Sequence, residues 1–276
     1  MIFVYRKWEE ICRKLKEKGL QSIPACEVKP DSGNYVVLKH DVETDVHRAH
    51  KIAQIEKEYG HRGSYYVQAY LLSNSKNVEL LSEMQQMGHE VSYHYDVLDS
   101  CKGNMEEADV EFEKNLNLFR SKGLRVVTVC QHGNPIIERN GYSSNRDFFR
   151  NSSIKEKYND IADIMVNFKE KFSTDYLYFS DAGRMFKLIY DPINNDIINS
   201  DDKNIPFNSV DELLNGLDKE IGNIISIHPH RWMQSATLYL CKKWVFKVLK
   251  TVAKIMVKIP AFNRLMSKYY YLAKKI

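Results

Sequence analysis

Residues 35–43 read YVVLKHDVE, an apolar and β-branched run that ends with His40, Asp41 and Glu43 within four positions. Such a run predicts a buried strand with polar chemistry at its C-terminal end, where parallel α/β proteins build their active sites. Side chains alternate along a strand, so Asp41 and Glu43 should share one face and His40 should point to the other. Two acids on one face need neutralisation by a divalent metal or by a shared proton. The alternative is that Asp41 and Glu43 are solvated loop acids that cap the next helix, a role for which Asp45 is also well placed.

The rest of the chain predicts alternating strands and helices. Further strands are predicted at residues 63–68, 89–94, 125–131 and 223–227, with shorter ones at 160–167 and 176–180. Helices are predicted at residues 3–18, between Glu43 and Gly60, and at 78–87, 105–122 and 211–219. Repeated strand–helix units with glycines at the helix ends indicate a parallel sheet packed against helices.

Charge is distributed unevenly along the chain. The 276 residues carry a net charge of +4, but residues 233–276 contain ten Lys and Arg and no acid, which leaves −6 for residues 1–232. The five cysteines are scattered without a CxxC spacing, as expected for reduced thiols in a cytosolic protein. No signal peptide is predicted, and no stretch reaches the roughly 18 uncharged apolar residues of a spanning helix.

Metal-competent side chains follow four of the predicted strands: Asp41 and Glu43, then His94, His132 and His228. The carboxyl ends of parallel strands converge in space, so these residues should meet although they are far apart in sequence. One carboxylate, two neutral imidazoles and an open position for water form a catalytic zinc-type arrangement. A second carboxylate can then accept the proton of the water, and a further histidine can protonate a leaving group. For any one of these histidines alone, a structural hydrogen bond is the alternative.

Five short motifs occur in order: HDVE at 40–43, GHEVSYH at 88–94, HGNP at 132–135, DAGR at 181–184 and HPHRW at 228–232. Together they resemble the polysaccharide deacetylase (NodB-homology) superfamily, and most closely its branch with an HDVD-type first motif, associated with surface-polysaccharide biosynthesis. The resemblance covers residues 35–232. It implies a distorted, incomplete (β/α) barrel of the deacetylase type. It also implies removal of an N- or O-acetyl group from a sugar with a divalent metal, zinc first and cobalt or nickel as alternatives.

The resemblance implies roles for individual residues. Asp41 matches the catalytic base, Glu43 takes the place of the metal-binding acid, and His94 matches the first metal-binding histidine. His228 matches the general acid, with His230 as the less favoured choice. Asp181 and Arg184 are supporting residues, because they resemble a motif that orients the site. Apart from the resemblance, Arg231 is a supporting residue that would line a sugar pocket.

Three positions depart from the family pattern. The usual adjacent aspartates are replaced by Asp41-Val42-Glu43, and Leu98 stands where a second metal-binding histidine is expected. The arginine motif that normally steadies the base is replaced by the motif that begins at His132. His132 is therefore either the third metal ligand or a residue that holds Asp41. These departures keep open a catalytically silent barrel that binds glycan or scaffolds an assembly complex.

The basic tail, residues 233–276, predicts a cationic amphipathic helix over residues 241–259. Its apolar residues recur at spacings of three and four, and its lysines fall on the opposite face. This pattern favours an anionic membrane surface, and the contacting residues would be Trp244, Lys247, Lys250 and Lys254. A terminal helix packed on the body, with its lysines facing water, is the alternative. Nucleic acid is disfavoured as a partner because no basic patch continues into the body.

The chain is thus expected to have three parts. Residues 1–34 form an N-terminal helix and lead-in, residues 35–232 form the deacetylase-like (β/α) barrel, and residues 233–276 form the basic tail. The expected location is the cytoplasm, with peripheral attachment to the inner face of the membrane. The expected substrate is an acetylated sugar or glycan.

Overall fold

The computed structural model describes residues 1–30, 32–134, 137, 139–189, 192–193, 204–242 and 244–245. In this part of the chain the helices are α1 (Tyr5–Glu17), α2 (Val46–Glu58), α3 (Ser75–Gln86), α4 (Val97–Ser100), α5 (Met105–Ser121), α6 (Arg146–Arg150), α7 (Ser152–Lys157), α8 (Phe168–Lys171) and α9 (Val210–Asn215). The strands are β1 (Val36–Val42), β2 (Gly63–Val67), β3 (Glu90–Tyr95), β4 (Thr128–Gln131), β5 (Ala162–Asp163), β6 (Tyr176–Ser180), β7 (Lys187–Ile189), β8 (Ile205–Pro206) and β9 (Gly222–Ile227). Single 3₁₀ turns lie at Ala25–Glu27, Ala69–Ser73, Ala182–Arg184 and Pro229–Arg231.

The strands form one sheet in the order β5-β4-β3-β2-β1-β9-β6-β7-β8. Pairing is parallel from β5 through β6, and the edge strands β7 and β8 are antiparallel. The predicted α/β class with a mostly parallel sheet is therefore confirmed. Over the described residues the sheet is open, with β5 at one edge and β8 at the other, and it does not close into a barrel.

Strand β1 lies at the centre of the sheet and is buried along its whole length. One of its faces contributes Leu38 to the larger apolar cluster, which includes buried side chains of α1 and α2. The other face contributes Val37 to a smaller cluster with Tyr66 and Ile224. Because side chains alternate, Lys39 and Asp41 lie on the face of Val37, away from the larger cluster.

His40 points to the helix side of β1, as the alternation predicts. Its Nε2 lies 2.8 Å from Oε1 of Glu56 on α2, and its ring stacks on Tyr65. The same glutamate accepts hydrogen bonds from Trp8 Nε1 at 3.1 Å and from the Tyr65 hydroxyl at 2.7 Å. This buried network joins α1, α2, β1 and β2, so His40 belongs to the scaffold.

Some predicted elements have different bounds for identifiable reasons. Helix α3 begins at Ser75, three residues before its predicted start, because the Asn74 side chain accepts a hydrogen bond from the Lys76 amide. The strand predicted at 160–167 shortens to β5. There the Asp163 carboxylate accepts the Met165 amide, which turns the chain.

The basic tail is described only at its beginning. Residues 236–242 and 244–245 are helical, and the remainder of the predicted helix, with Lys247, Lys250 and Lys254, lies outside the described residues. Trp244 is 68% exposed and Val245 is 47% exposed. None of the described helices is both long enough and apolar enough to cross a membrane.

Candidate functional site

The predicted site residues come together at the carboxyl ends of the central strands. Asp41 is the next-to-last residue of β1 and Glu43 directly follows that strand. His94 lies in β3, and His132 and His228 directly follow β4 and β9. Parallel pairing of β1 with β9, and of β2 with β3 and β3 with β4, brings these ends to the same edge. Residues separated by almost the full length of the body therefore share one site.

Asp41 is held as a carboxylate by a lysine that we did not predict. Lys39 Nζ lies 2.5 Å from Oδ1 and 2.7 Å from Oδ2 of Asp41, and it donates a further hydrogen bond of 3.3 Å to Ser226 Oγ. Burial alone would raise the pKa of Asp41, but the charge of Lys39, with help from His94 and His228, holds that pKa well below its usual value. Asp41 is therefore ionised at neutral pH.

Glu43, His94 and His132 present three donor atoms to one another, all within 4.8 Å. His132 Nδ1 lies 3.2 Å from His94 Nε2 and 3.4 Å from Glu43 Oε1. Four ligands at zinc bond lengths in a tetrahedron lie about 3.3–3.4 Å apart, so these separations suit a single ion. The metal-ligand set expected from the sequence is thus brought together.

His94 is oriented for metal binding by a backbone contact. Its Nδ1 donates a hydrogen bond of 3.0 Å to the Cys130 carbonyl, so Nε2 carries the lone pair that faces Glu43 and His132. Burial lowers the pKa of His94 to about 4, which keeps the ring neutral at pH 7. A neutral imidazole with its outer nitrogen anchored is the form that binds metal.

Glu43 differs from Asp41 in how its charge is balanced. Within the described chain its close partners are histidines: His132 at 3.4 Å, and His228 and His230 at 3.8 Å. Burial raises the pKa of Glu43 and outweighs the charges of His228 and Arg231, which lower it. A carboxylate whose pKa is raised by burial fits a bound cation, which would remove this penalty.

His228 is fixed by Asp181, the residue after β6. The Asp181 carboxylate accepts hydrogen bonds from His228 Nδ1 at 2.6 Å and from the His228 amide at 3.1 Å. It also accepts from Arg231 Nη1 at 3.2 Å and from Trp232 Nε1 at 3.0 Å. His228 Nε2 is thereby directed toward Asp41 and Glu43, 3.8 Å from an oxygen of each.

The other predicted supporting residues differ in their surroundings. Arg231 contacts Asp181 and so stabilises the His228 anchor. Burial lowers the pKa of His230 to about 3, so this ring is not an imidazolium at neutral pH. The backbone of Arg184 belongs to the turn after β6, but its side chain lies outside the described residues.

The loop that carries His132 is held by a network without a local sequence signal. Asn145 Nδ2 donates to the His132 carbonyl at 2.9 Å and to Asp99 Oδ2 at 2.8 Å. Arg139 also donates two hydrogen bonds to Asp99. Leu98 is fully buried in the larger apolar cluster. Asp99, one residue later, anchors the loop that supplies His132.

Replacing Asp181 by asparagine should lower the free energy of unfolding at pH 7 by about 1.5–3 kcal/mol, because charge-assisted hydrogen bonds are lost. Burial opposes ionisation of Asp181, but His228 and Arg231 hold its pKa below the usual value. Such a carboxylate contributes stability above the ordinary aspartate pKa of about 3.9 and loses it as the pH falls through the folded value.

The stability difference between wild type and D181N should therefore shrink below about pH 4, as measured by urea unfolding at several pH values. Asp211→Asn is the matched control, because Asp211 is exposed and pairs with Lys14 at the surface. The control should change stability much less. A D181N deficit that stays the same from pH 7 to pH 3 would contradict the assignment.

Fold and site together define an α/β protein with a mostly parallel sheet and a candidate divalent-metal site at its strand ends. No protein-family model matches the chain, and a search of curated proteins gave no match either.

Proposed function

We propose that this protein is a metal-dependent hydrolase that removes an acetyl group from a sugar of a cell-surface polysaccharide or its precursor. The observation that carries the proposal is the meeting of Glu43, His94 and His132 donor atoms beside an ionised Asp41 and an anchored His228. In this proposal the open sheet forms part of an incomplete (β/α) barrel. The substrate enters at the carboxyl ends of its strands.

Glu43, His94 and His132 would hold the metal, with zinc first and cobalt or nickel as alternatives. When bound, the metal would polarise the acetyl carbonyl and lower the pKa of the attacking water. Glu43 supplies the negative charge and the two imidazoles supply neutral donors. Asp99 and Asn145 keep His132 in place through the network under its loop.

Asp41 and His228 would move the protons. The oxygen of water attacks the acetyl carbon while Asp41 accepts a proton from that water. The bond from the acetyl carbon to the sugar nitrogen or oxygen then breaks, and His228 Nε2 protonates the leaving atom. The products are acetate and a free amine or hydroxyl. His230 is the less favoured choice for the acid, because burial lowers its pKa to about 3.

Acetate release from acetylated oligosaccharides tests this proposal. Purified full-length protein should release acetate from an N-acetylated or an O-acetylated substrate, a chelator should stop the release, and added zinc or cobalt should restore it. Acetate release that continues unchanged after the metal is removed would contradict the proposal.

A second candidate is a catalytically silent domain that binds glycan or scaffolds an assembly complex. It is favoured by Leu98, whose apolar side chain replaces a family ligand. It is also favoured by Lys39, which makes Asp41 a weaker base. In the same assay this candidate predicts glycan binding without acetate release.

We also propose that the basic tail attaches the protein to an anionic membrane surface on the cytoplasmic side. The support is that Trp244 and Val245, at the start of the predicted apolar face, are 68% and 47% exposed, and that Cys241 is exposed as well. A helix packed on the body would bury these residues. Trp244 with Lys247, Lys250 and Lys254 would contact the lipid, each lysine contributing about 1 kcal/mol.

Deleting residues 241–276 should abolish binding to vesicles that contain anionic lipid, as measured by co-sedimentation. A matched full-length variant with Gln at Lys247, Lys250 and Lys254 should bind about 100-fold more weakly, since three charges at about 1 kcal/mol each are lost. Vesicles of neutral lipid serve as the control. An unchanged membrane-bound fraction after the deletion would contradict membrane attachment.

A further inference from the structure

Two groups of potential ligands overlap at His94. The first is Glu43, His94 and His132, and the second is Asp41, His94 and Cys130. In the second group all three residues are buried, and their donor atoms also lie within 4.8 Å of one another. A single lone pair on His94 Nε2 can serve only one metal ion, so a feature of the site must decide which group is used.

Lys39 supplies a cation to the second group. Its ammonium lies 2.5 and 2.7 Å from the two oxygens of Asp41, and its charge partly offsets the burial that raises the pKa of the Cys130 thiol. The rings of Tyr66 and Tyr178 flank it at 5.7 and 5.9 Å. Lys39 is 1% exposed and lies two residues before Asp41 on the central strand, so alternation fixes it on the same face.

We propose that the Lys39 ammonium occupies the place of a cation in the group Asp41, His94 and Cys130, and thereby confines the metal to Glu43, His94 and His132. A divalent ion on the Asp41 side would meet a fixed positive charge at close range in a buried site, where repulsion is strong. The contact of Lys39 with Asp41 also keeps the Asp41 carboxylate off the metal. Asp41 can act as the base only if it is not a metal ligand. This inference rests on the proposed function.

Lys39 is accordingly a positioning residue that selects the ligand set. It also takes over the task of the arginine that steadies the base in the family that the sequence resembles, since it holds both oxygens of Asp41. Removing the Lys39 ammonium should therefore allow the sulfur of Cys130 to become a ligand of the metal.

Cobalt(II) added to metal-free, full-length protein distinguishes the two ligand groups. Thiolate ligation gives an intense charge-transfer band in the near ultraviolet, which nitrogen and oxygen ligands do not give. The wild type should bind cobalt without that band, and Cys130→Ser should leave its spectrum unchanged. Lys39→Met should gain the band at a strength of one thiolate per cobalt, and Cys130→Ser in the Lys39→Met background should remove it.

The wild-type comparison keeps the test decisive if Lys39→Met does not fold. A wild-type thiolate band that disappears in Cys130→Ser would overturn the inference, because the metal would then already use Cys130. A folded Lys39→Met protein that binds cobalt without the band would also overturn it. Cobalt binding in the wild type, which the proposed function requires, is scored separately. Its absence would contradict the proposed function, on which the inference rests.

Discussion

Replacing Asp41 by asparagine should lower kcat for acetate release by about 10²–10⁴-fold, the usual contribution of a general base, and should leave bound metal unchanged. Asparagine keeps the shape of the side chain but cannot accept the proton of the water. Metal content should persist because Glu43, His94 and His132 form a ligand set that does not include Asp41. Steady-state kinetics and elemental analysis on the same preparation measure both quantities.

The Asp41→Asn variant needs a stability control because of Lys39. Removing the carboxylate leaves a buried ammonium without its counter-ion, and breaking a buried pair in this way typically costs about 3–5 kcal/mol. The double variant Lys39→Met/Asp41→Asn removes both charges, so it should recover much of the stability but none of the activity. Unchanged turnover in Asp41→Asn would contradict the assignment of the base.

Replacing His94 by asparagine should weaken metal binding more than about 100-fold, because loss of even an outer-shell partner costs about 10–100-fold. His94 belongs to both ligand groups, so the chain has no alternative set of described residues that avoids it. Acetate release should fall with the metal. Competition against a chromogenic chelator measures the affinity.

His89→Asn is the matched control for His94→Asn. His89 is also a buried histidine beside β3, but it contacts the Gly63 amide and the Ala53 carbonyl at the other end of the sheet. This variant is expected to lose stability and to keep metal affinity. Equal metal affinity in His94→Asn and wild type would rule out the proposed ligand set.

Much of the site could be predicted because side chains alternate regularly along a strand and parallel strands end at the same edge of a sheet. Alternation along one strand placed Asp41 and Glu43 together and His40 behind them. Parallel pairing then made the ends of distant strands converge, so His94, His132 and His228 could be assigned to the same site before their contacts were known.

Lys39 was missed although the same alternation applies to it. Lys39 stands inside an apolar run, but its position two residues before Asp41 indicates that the two side chains share a face. The hydrogen bonds under the His132 loop could not be predicted from local sequence patterns, because Asp99 and Asn145 are 46 residues apart and meet only through tertiary packing. Anchoring by Asp181 was expected from the resemblance, but its four hydrogen bonds depend on how β6 and β9 pair.

The same limits apply to the strand and helix bounds. The predicted and observed bounds of β1, β2, β3 and β9 agree within one residue, whereas β4 begins three residues later than predicted. The short helices α6, α7 and α8 lack a periodic pattern long enough to predict. Strand β5 is brief because Asp163 and Asn167 close a turn through side-chain contacts.

Metal analysis of the purified full-length protein tests the central claim most directly. The account predicts one tightly bound zinc, cobalt or nickel ion per chain, which His94→Asn loses and Asp41→Asn retains. It also predicts that the metal-free protein regains acetate release when one of these ions is added. Protein that binds no divalent metal and gains no activity from zinc, cobalt or nickel would contradict the account.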